Sequence, residues 1–401
     1  MNSTTGRLPR LSRGASFALL ASIVVAMVAA SSAPTPLYPI YQSRWGFSAI
    51  TTTVVFGVYA LAVLTSLLVV GSLSDHVGRR PVLLGALVAQ AVSMAVFATA
   101  SSVPHLLAGR VLQGIATGAA IGAVGAGLID LDRPKGTLAN GVVPVVGTAI
   151  GAPIAGLFVQ YLPAPDALVF VVFAAIYLVQ AGLVLRMAET TVRRPGAIAS
   201  LRPDVSVPQA ARRPMLAAVP VLVAAWALGG FYLALGPALS RTTVHSGSPL
   251  VAGVIVFAMA GSAAAAVLLA RNVPATRMMT TGAATLIAGV GVSLVAIAAS
   301  LGVLFLLSLP VAGVGFGLTL QGAIRTVLPY AAEHQRAGLL SVVYVVSYLG
   351  FGLPAVLAGV LVVYGGGLRA TAIEYGLAVM VLAGTALVAL RPRRVIASAR
   401  S

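Results

Sequence analysis

Long apolar runs alternate with short polar breaks along the whole chain, and the breaks are rich in Arg, Pro and Gly. A hydrocarbon core of ~30 Å takes ~20 apolar residues per helix, the length of these runs, whereas strands of a membrane barrel would alternate in polarity. The pattern predicts twelve helical spans, at 15–38, 49–71, 81–100, 104–128, 137–161, 168–187, 214–238, 249–270, 278–299, 302–325, 338–363 and 370–390. The expected fold class is an all-α membrane protein.

Composition supports lipid as the solvent. Of 401 residues 59% are hydrophobic and 8% charged, too few polar groups to coat a water-soluble globule. The net charge of +17 would suit a nucleic-acid binder if it were gathered on one face. It is instead dispersed among the breaks, so no nucleic acid is expected. Apart from Arg110 inside a span and Arg44, Arg241 and Arg369 on one side, every basic residue falls in the breaks of the other side or at the span ends that border them. The positive-inside rule then places both termini in the cytoplasm of a multi-pass protein of the cell (plasma or inner) membrane.

Catalytic chemistry finds no foothold. There is no cysteine, His76, His105, His245 and His334 lack metal-ligand spacing, and no Gly-Lys-Ser phosphate loop is present. The expectation is a protein that is not an enzyme, with no cofactor, no metal and no use of ATP, working as a monomer in the bilayer on a small-molecule substrate.

The longest polar break, 188–213, reads as a flexible cytoplasmic linker between a first half, 1–187, and a second, 214–401. Gly151-Ala152-Pro153 with Ala155, Gly156 and Tyr161 echoes Gly352-Leu353-Pro354 with Ala358, Gly359 and Tyr364. A repeat in the same orientation predicts two six-helix bundles related by an axis along the membrane normal.

Three motifs then carry mechanism. The loop Gly71-Ser72-Leu73-Ser74-Asp75-His76-Val77-Gly78-Arg79-Arg80-Pro81 resembles the cytoplasmic signature of the major facilitator superfamily, with His76 where an Arg is usual. The resemblance implies the major facilitator fold and a latch for the outward-facing state made by Gly71, Asp75, Gly78, Arg79 and Arg80. Arg110, Gln113 and Gly114 are similar to the family's Arg-x-x-Gln-Gly in the fourth span, which implies a part in proton transfer. An arginine inside the membrane marks a functional site by default, and snorkelling to headgroups is its plain alternative. Gly147, Gly151, Pro153 and Gly156 resemble the antiporter motif of drug-exporting members, with the proline one place late and Ala155 replacing a glycine. The glycines and proline permit close packing and a kink.

A central cavity could be lined by Tyr38, Tyr59, Gln90, Gln113, Tyr177, Trp226, Tyr232, Gln321, Tyr344 and Tyr348, a set suited to a lipophilic, weakly polar molecule. No carboxylate falls at the bilayer midplane, and Arg110 favours an anion or zwitterion. Asp130 and Glu374 are the fallback proton-coupling groups. The expected function is secondary active transport by alternating access, exporting a small lipophilic compound, drug or metabolite in exchange for protons. The alternatives are an uptake carrier for a sugar or small organic anion and, more distantly, a non-transporting receptor.

Overall fold

The computed structural model of the chain describes residues 10–389 and, within them, fourteen α-helices and no strand. Residues 1–9 and 390–401, which include both termini and the last position of the expected final span, lie outside the described residues. Twelve helical segments are long and apolar enough to cross a membrane.

The first segment is not one continuous helix. α1 (Arg13–Ser32) starts where Ser12 accepts the Ala15 N–H and stops before Pro34 and Pro36, which pass through a single 3₁₀ turn into the short α2 (Tyr38–Trp45). The sequence pattern predicted a single span to Tyr38, but prolines without N–H groups cannot sustain the ladder. Gly46, at φ +67°, closes α2. α3 (Ala49–Val70) crosses back to the motif loop, which contains α4 (Leu73–Val77), and α5 (Arg79–Ala98) and α6 (Val103–Leu131) follow. Asp132 separates α6 from α7 (Arg133–Tyr161) and caps the latter by accepting the Lys135 N–H, a bond that holds its carboxyl below the usual carboxylate range. α8 (Leu168–Arg186) completes six spans.

Residues 187–211 cross without α-helix, and six more spans follow: α9 (Arg212–Thr243), α10 (Pro249–Leu269), α11 (Ala275–Ala298), α12 (Gly302–Val327), α13 (Arg336–Tyr364) and α14 (Gly367–Ala389). Buried side chains between Leu19 and Met187 form one apolar core, and those from Ala211 onward form two others. Phe56 and Ala60 of α3 belong to a core of the last six spans, because α3 packs on α13.

α7 against α10 and α3 against α13 are the long contacts between the first six spans and the last six. The echoed glycines sit in both. A Cβ on Gly156 would lie 2.5 Å from the Pro249 carbonyl oxygen, and one on Gly359 2.0 Å from Thr53 Oγ1. Both described hydrogen bonds joining the two sets of spans, Thr35 Oγ1 to the Leu233 carbonyl at 3.1 Å and Ser248 Oγ to Gln160 Oε1 at 2.5 Å, lie at this same end. This is the end bearing the 46–48, 162–167 and 244–248 loops.

Candidate functional site

α6 carries Arg110, Gln113 and Thr117 one turn apart on a face that meets α1 and α3. The helix can come that close because Gly114 and Gly118 lie against the backbone of α3. A Cβ at Gly118 would stand 2.7 Å from the Val63 carbonyl oxygen.

Arg110 is 1% exposed, so it does not snorkel. Its Nη1 donates to the Ser31 carbonyl and to Gln113 Oε1, each at 2.8 Å, and its Nη2 donates to the Tyr38 hydroxyl at 2.7 Å. Gln113 is held in turn by donating to the Ala30 carbonyl at 3.1 Å. Rings of Tyr59, Phe97 and Tyr38 lie 5.2, 5.8 and 6.0 Å from the guanidinium carbon. Every one of these acceptors is neutral, and none of the chain's carboxylates bridges to Arg110. Its Nε–H is buried without a partner. Placing arginine at depth costs ~2.5–3.5 kcal/mol on insertion scales, and three cation–π contacts of ~0.5–2 kcal/mol each offset that without neutralising the charge.

The facing side is aromatic. Trp226 of α9 packs edge-on against Phe316 and Phe351 at 5.9 and 5.3 Å and stacks on Tyr348 at 5.8 Å. Trp226, Tyr344, Tyr348 and Gln321 are half-buried, and Tyr348 lies within electrostatic reach of Tyr59 across the junction. The Trp226 indole N–H has no partner. Gln321 faces Gly141 of α7.

The other expected cavity residues are closed into packing. Gln90 donates to the Tyr177 hydroxyl at 3.4 Å, and that hydroxyl donates to the Ala26 carbonyl, which ties α5, α8 and α1 together. Tyr232 and Ser293 hydroxyls are 2.8 Å apart between α9 and α11, with Ser308 continuing the chain at 3.1 Å. Gly147 and Gly151 of α7 pack on α1, and Pro153 packs on Gly253 of α10.

At the end opposite the 46–48, 162–167 and 244–248 loops, the motif loop forms a charged knot. Arg79, 5% exposed, is 2.5 Å from Asp75 and 3.3 Å from Asp130, and donates to Ser74 Oγ at 2.7 Å. Asp75 itself is half exposed. Gly78, at φ +104°, makes the turn, and Gly71 receives Gly122 of α6 at backbone distance. The sequence reading passed over Glu189. Its two carboxylate oxygens accept the Arg79 and Arg80 N–H groups at 2.8 and 3.1 Å and so cap α5, whose own N-cap is a glycine. The following residues lie on the loop as well: His76 Nδ1 donates to the Pro195 carbonyl, and Ser72 donates to the Ser200 carbonyl. Asp130 is part of this knot through Arg79 and Thr190, whereas Glu374 is exposed on α14 and has no bonded partner.

Comparison with known proteins agrees with this geometry. Citrate exporter 1 of Aspergillus niger is 37% identical over 97 residues, which is 23% of this chain and 18% of that protein. The class C tetracycline resistance protein of Escherichia coli is 43% identical over 79 residues, 19% of this chain and 20% of that one. The matched stretch therefore spans about a fifth of these relatives' length. Among solved structures, a bacterial homolog of the human lysosomal transporter Spinster aligns at a TM-score of 0.75 and 14% identity, covering 94% of this chain and 97% of that one. The human organic anion transporter MFSD10 aligns at 0.63 and 20%, covering 94% and 100%. Residues 19–329 match the profile of the Major Facilitator Superfamily. With most of its length inside that match and twelve helices fit to cross a bilayer, the chain belongs to the major facilitator superfamily of transporters.

Proposed function

We propose that this transporter exports a small, largely apolar compound from the cell by alternating access, rocking one six-helix bundle (1–187) against another (214–401) over the 188–213 linker. The observation that carries the reading is the arrangement of Arg110: a buried cation on the first bundle, covered by the Tyr59 ring at 5.2 Å, with Tyr348 of the second bundle within electrostatic reach of that same tyrosine. An apolar wall with one fixed charge suits a lipophilic body bearing a polar handle.

The positive-inside pattern supports an orientation with both chain ends in the cytoplasm of the cell membrane. The sealed end is then external, so this conformation faces inward. The loop knot is cytoplasmic, and Asp75 is paired to Arg79 in a half-exposed position. In the outward-facing state the same carboxylate would be free to brace the closing cytoplasmic side. Exporter function is also in keeping with what two partial relatives are named for, citrate export and tetracycline resistance. Two ways of driving export are open to this reading: exchange for protons, which the family resemblance of the Arg110 and Gln113 motif implies and for which Asp130 and Glu374 are the titrating candidates, and a charge carried by the substrate itself.

The test is accumulation of a compound library in cells with and without the gene. Export predicts that deletion raises the intracellular level of at least one compound, and that Asp75→Asn and Arg110→Ala each reproduce the deletion. Loss of growth on a sugar or organic acid after deletion, with no compound retained, would establish uptake instead.

A further inference from the structure

We infer that the exported compound is a monovalent organic anion, and that the membrane potential acting on its charge, rather than a proton taken up by the protein, drives it outward. The inference rests on the exporter reading above. It begins with what the interior contains. All eight carboxylates of the chain are among the described residues, and none lies beside Arg110. Asp130 is engaged with Arg79 and Thr190 in the loop knot, and Glu374 is exposed on α14. Of the histidines, His76 stands in α4 of the loop knot, His105 in the first turn of α6 bonded to Ser102, His245 in a loop and His334 in a 3₁₀ turn. The remaining titratable groups of the interior are phenols, which ordinarily release a proton only near pH 10. A proton exchanger needs a group that titrates near neutrality and faces each side in turn, and no residue of the central site is one.

What the site does hold is a permanent cation without a countercharge. Arg110 is satisfied by neutral acceptors, and its Nε–H is buried and unpaired. A guanidinium matches a carboxylate or sulfonate. The rings of Trp226 and Tyr348 offer the apolar body its contact. Because arginine keeps its proton, the substrate must bring and remove its own charge in each cycle. One negative charge therefore moves outward per turnover, in the direction an inside-negative potential favours.

The experiment uses purified full-length protein in vesicles with a potential set by a potassium gradient and valinomycin. The probe is naphthalene-2-sulfonate, a permanent anion on an apolar ring pair, with naphthalene-2-sulfonamide as its neutral counterpart. A tenfold potassium ratio should concentrate the sulfonate ~10-fold on the positive side. A pH gradient at zero potential should move none, and the sulfonamide should not compete. Arg110→Gln should slow sulfonate flux ~10- to 100-fold, the range for losing a charged hydrogen bond. Should that variant fail to fold, Arg110→Lys serves, expected to slow flux while keeping its dependence on potential. Accumulation driven by the pH gradient alone, or no sulfonate flux at all, would overturn the inference. The exporter reading survives either result if deletion still raises retention of a neutral compound in cells.

Discussion

The first six spans and the last six repeat one architecture yet fill it differently. The first set encloses Arg110, Gln113, Gln90 and Tyr177 in a hydrogen-bonded interior, whereas the second encloses Trp226, Phe316, Phe351 and a chain of hydroxyls with no charge. What the two retain in common is the glycine of close approach, Gly156 facing α10 and Gly359 facing α3. The difference shows which features the architecture requires and which belong to recognition. Small residues at the seam recur in both sets of spans, while charge and aromatic surface are divided between them.

The sharpest way to break that symmetry is at the seam. Gly156→Leu and Gly359→Leu each place a side chain where even a Cβ meets atoms within 2.5 Å, on Pro249 and Thr53 respectively. Since the Pro249 backbone cannot yield and the Thr53 side chain is itself fully buried, the sealed end should stay ajar and transport should fall at least ~100-fold, a loss of ~2.7 kcal/mol. The chain has no cysteine, so a single one introduced at Thr35 reports directly. Thiol reagent from outside should modify it faster in either leucine variant than in the parent. Equal rates would mean that the seam tolerates the bulk.

Next in size is the loop knot. Glu189→Ala removes both acceptors from the start of α5 and leaves the Arg79 and Arg80 N–H groups uncapped. A lost cap costs ~0.5–2 kcal/mol, so thermal unfolding of the purified protein should begin several degrees lower. Glu189→Gln, which retains one oxygen, should lose about half as much. No counterpart of this cap is described in the second set of spans, and Arg277→Ala in the first turn of α11 should leave the melting curve in place.

These outcomes also mark what the sequence made legible. Twelve spans followed from run length alone, since lipid leaves a helix few options. The break at Pro34 and Pro36 was missed because apolar residues continue across it and hydropathy does not register a lost N–H. Arg110 stood out because charge at that depth is rare, but its acceptors, the Ser31 carbonyl and the Tyr38 hydroxyl, lie some 70 residues away and carry no motif. Glu189 escaped for a related reason: it bonds to backbone about 110 positions earlier, and backbone partners leave no trace in residue identity. Gln90, Tyr177 and Tyr232 were grouped with the cavity residues because polarity inside a span suggests a lumen. The structure uses their polar tips to tie helices together.

Recognition in the second bundle gives a smaller effect. Trp226→Ala removes ring contacts with Phe316, Tyr348 and Phe351. Aromatic pairs add ~0.5–1.5 kcal/mol each beyond area. If Trp226 grips substrate, KM should rise ~10-fold while the melting temperature falls little. If it is only core, stability falls and KM does not move.

The least effect is expected where the two interiors differ in chemistry but agree in purpose. Tyr177 and Tyr232 both end in a buried hydroxyl that joins two helices, the first donating to the Ala26 carbonyl and the second meeting Ser293. Removing a hydroxyl costs ~1 kcal/mol when its partner keeps another bond and more when the partner is stranded. Ser293 retains Ser308 at 3.1 Å after Tyr232→Phe, so that variant should lose ~1 kcal/mol at most and transport at the parental rate. Tyr177→Phe strands Gln90, whose Oε1 is already unpaired and whose Nε2 bond goes to the lost hydroxyl, and it should cost more. Paired melting curves of the two variants decide it. A larger shift for Tyr232→Phe would mean that the hydroxyl chain of the second bundle carries structural weight that the first bundle assigns to its amides.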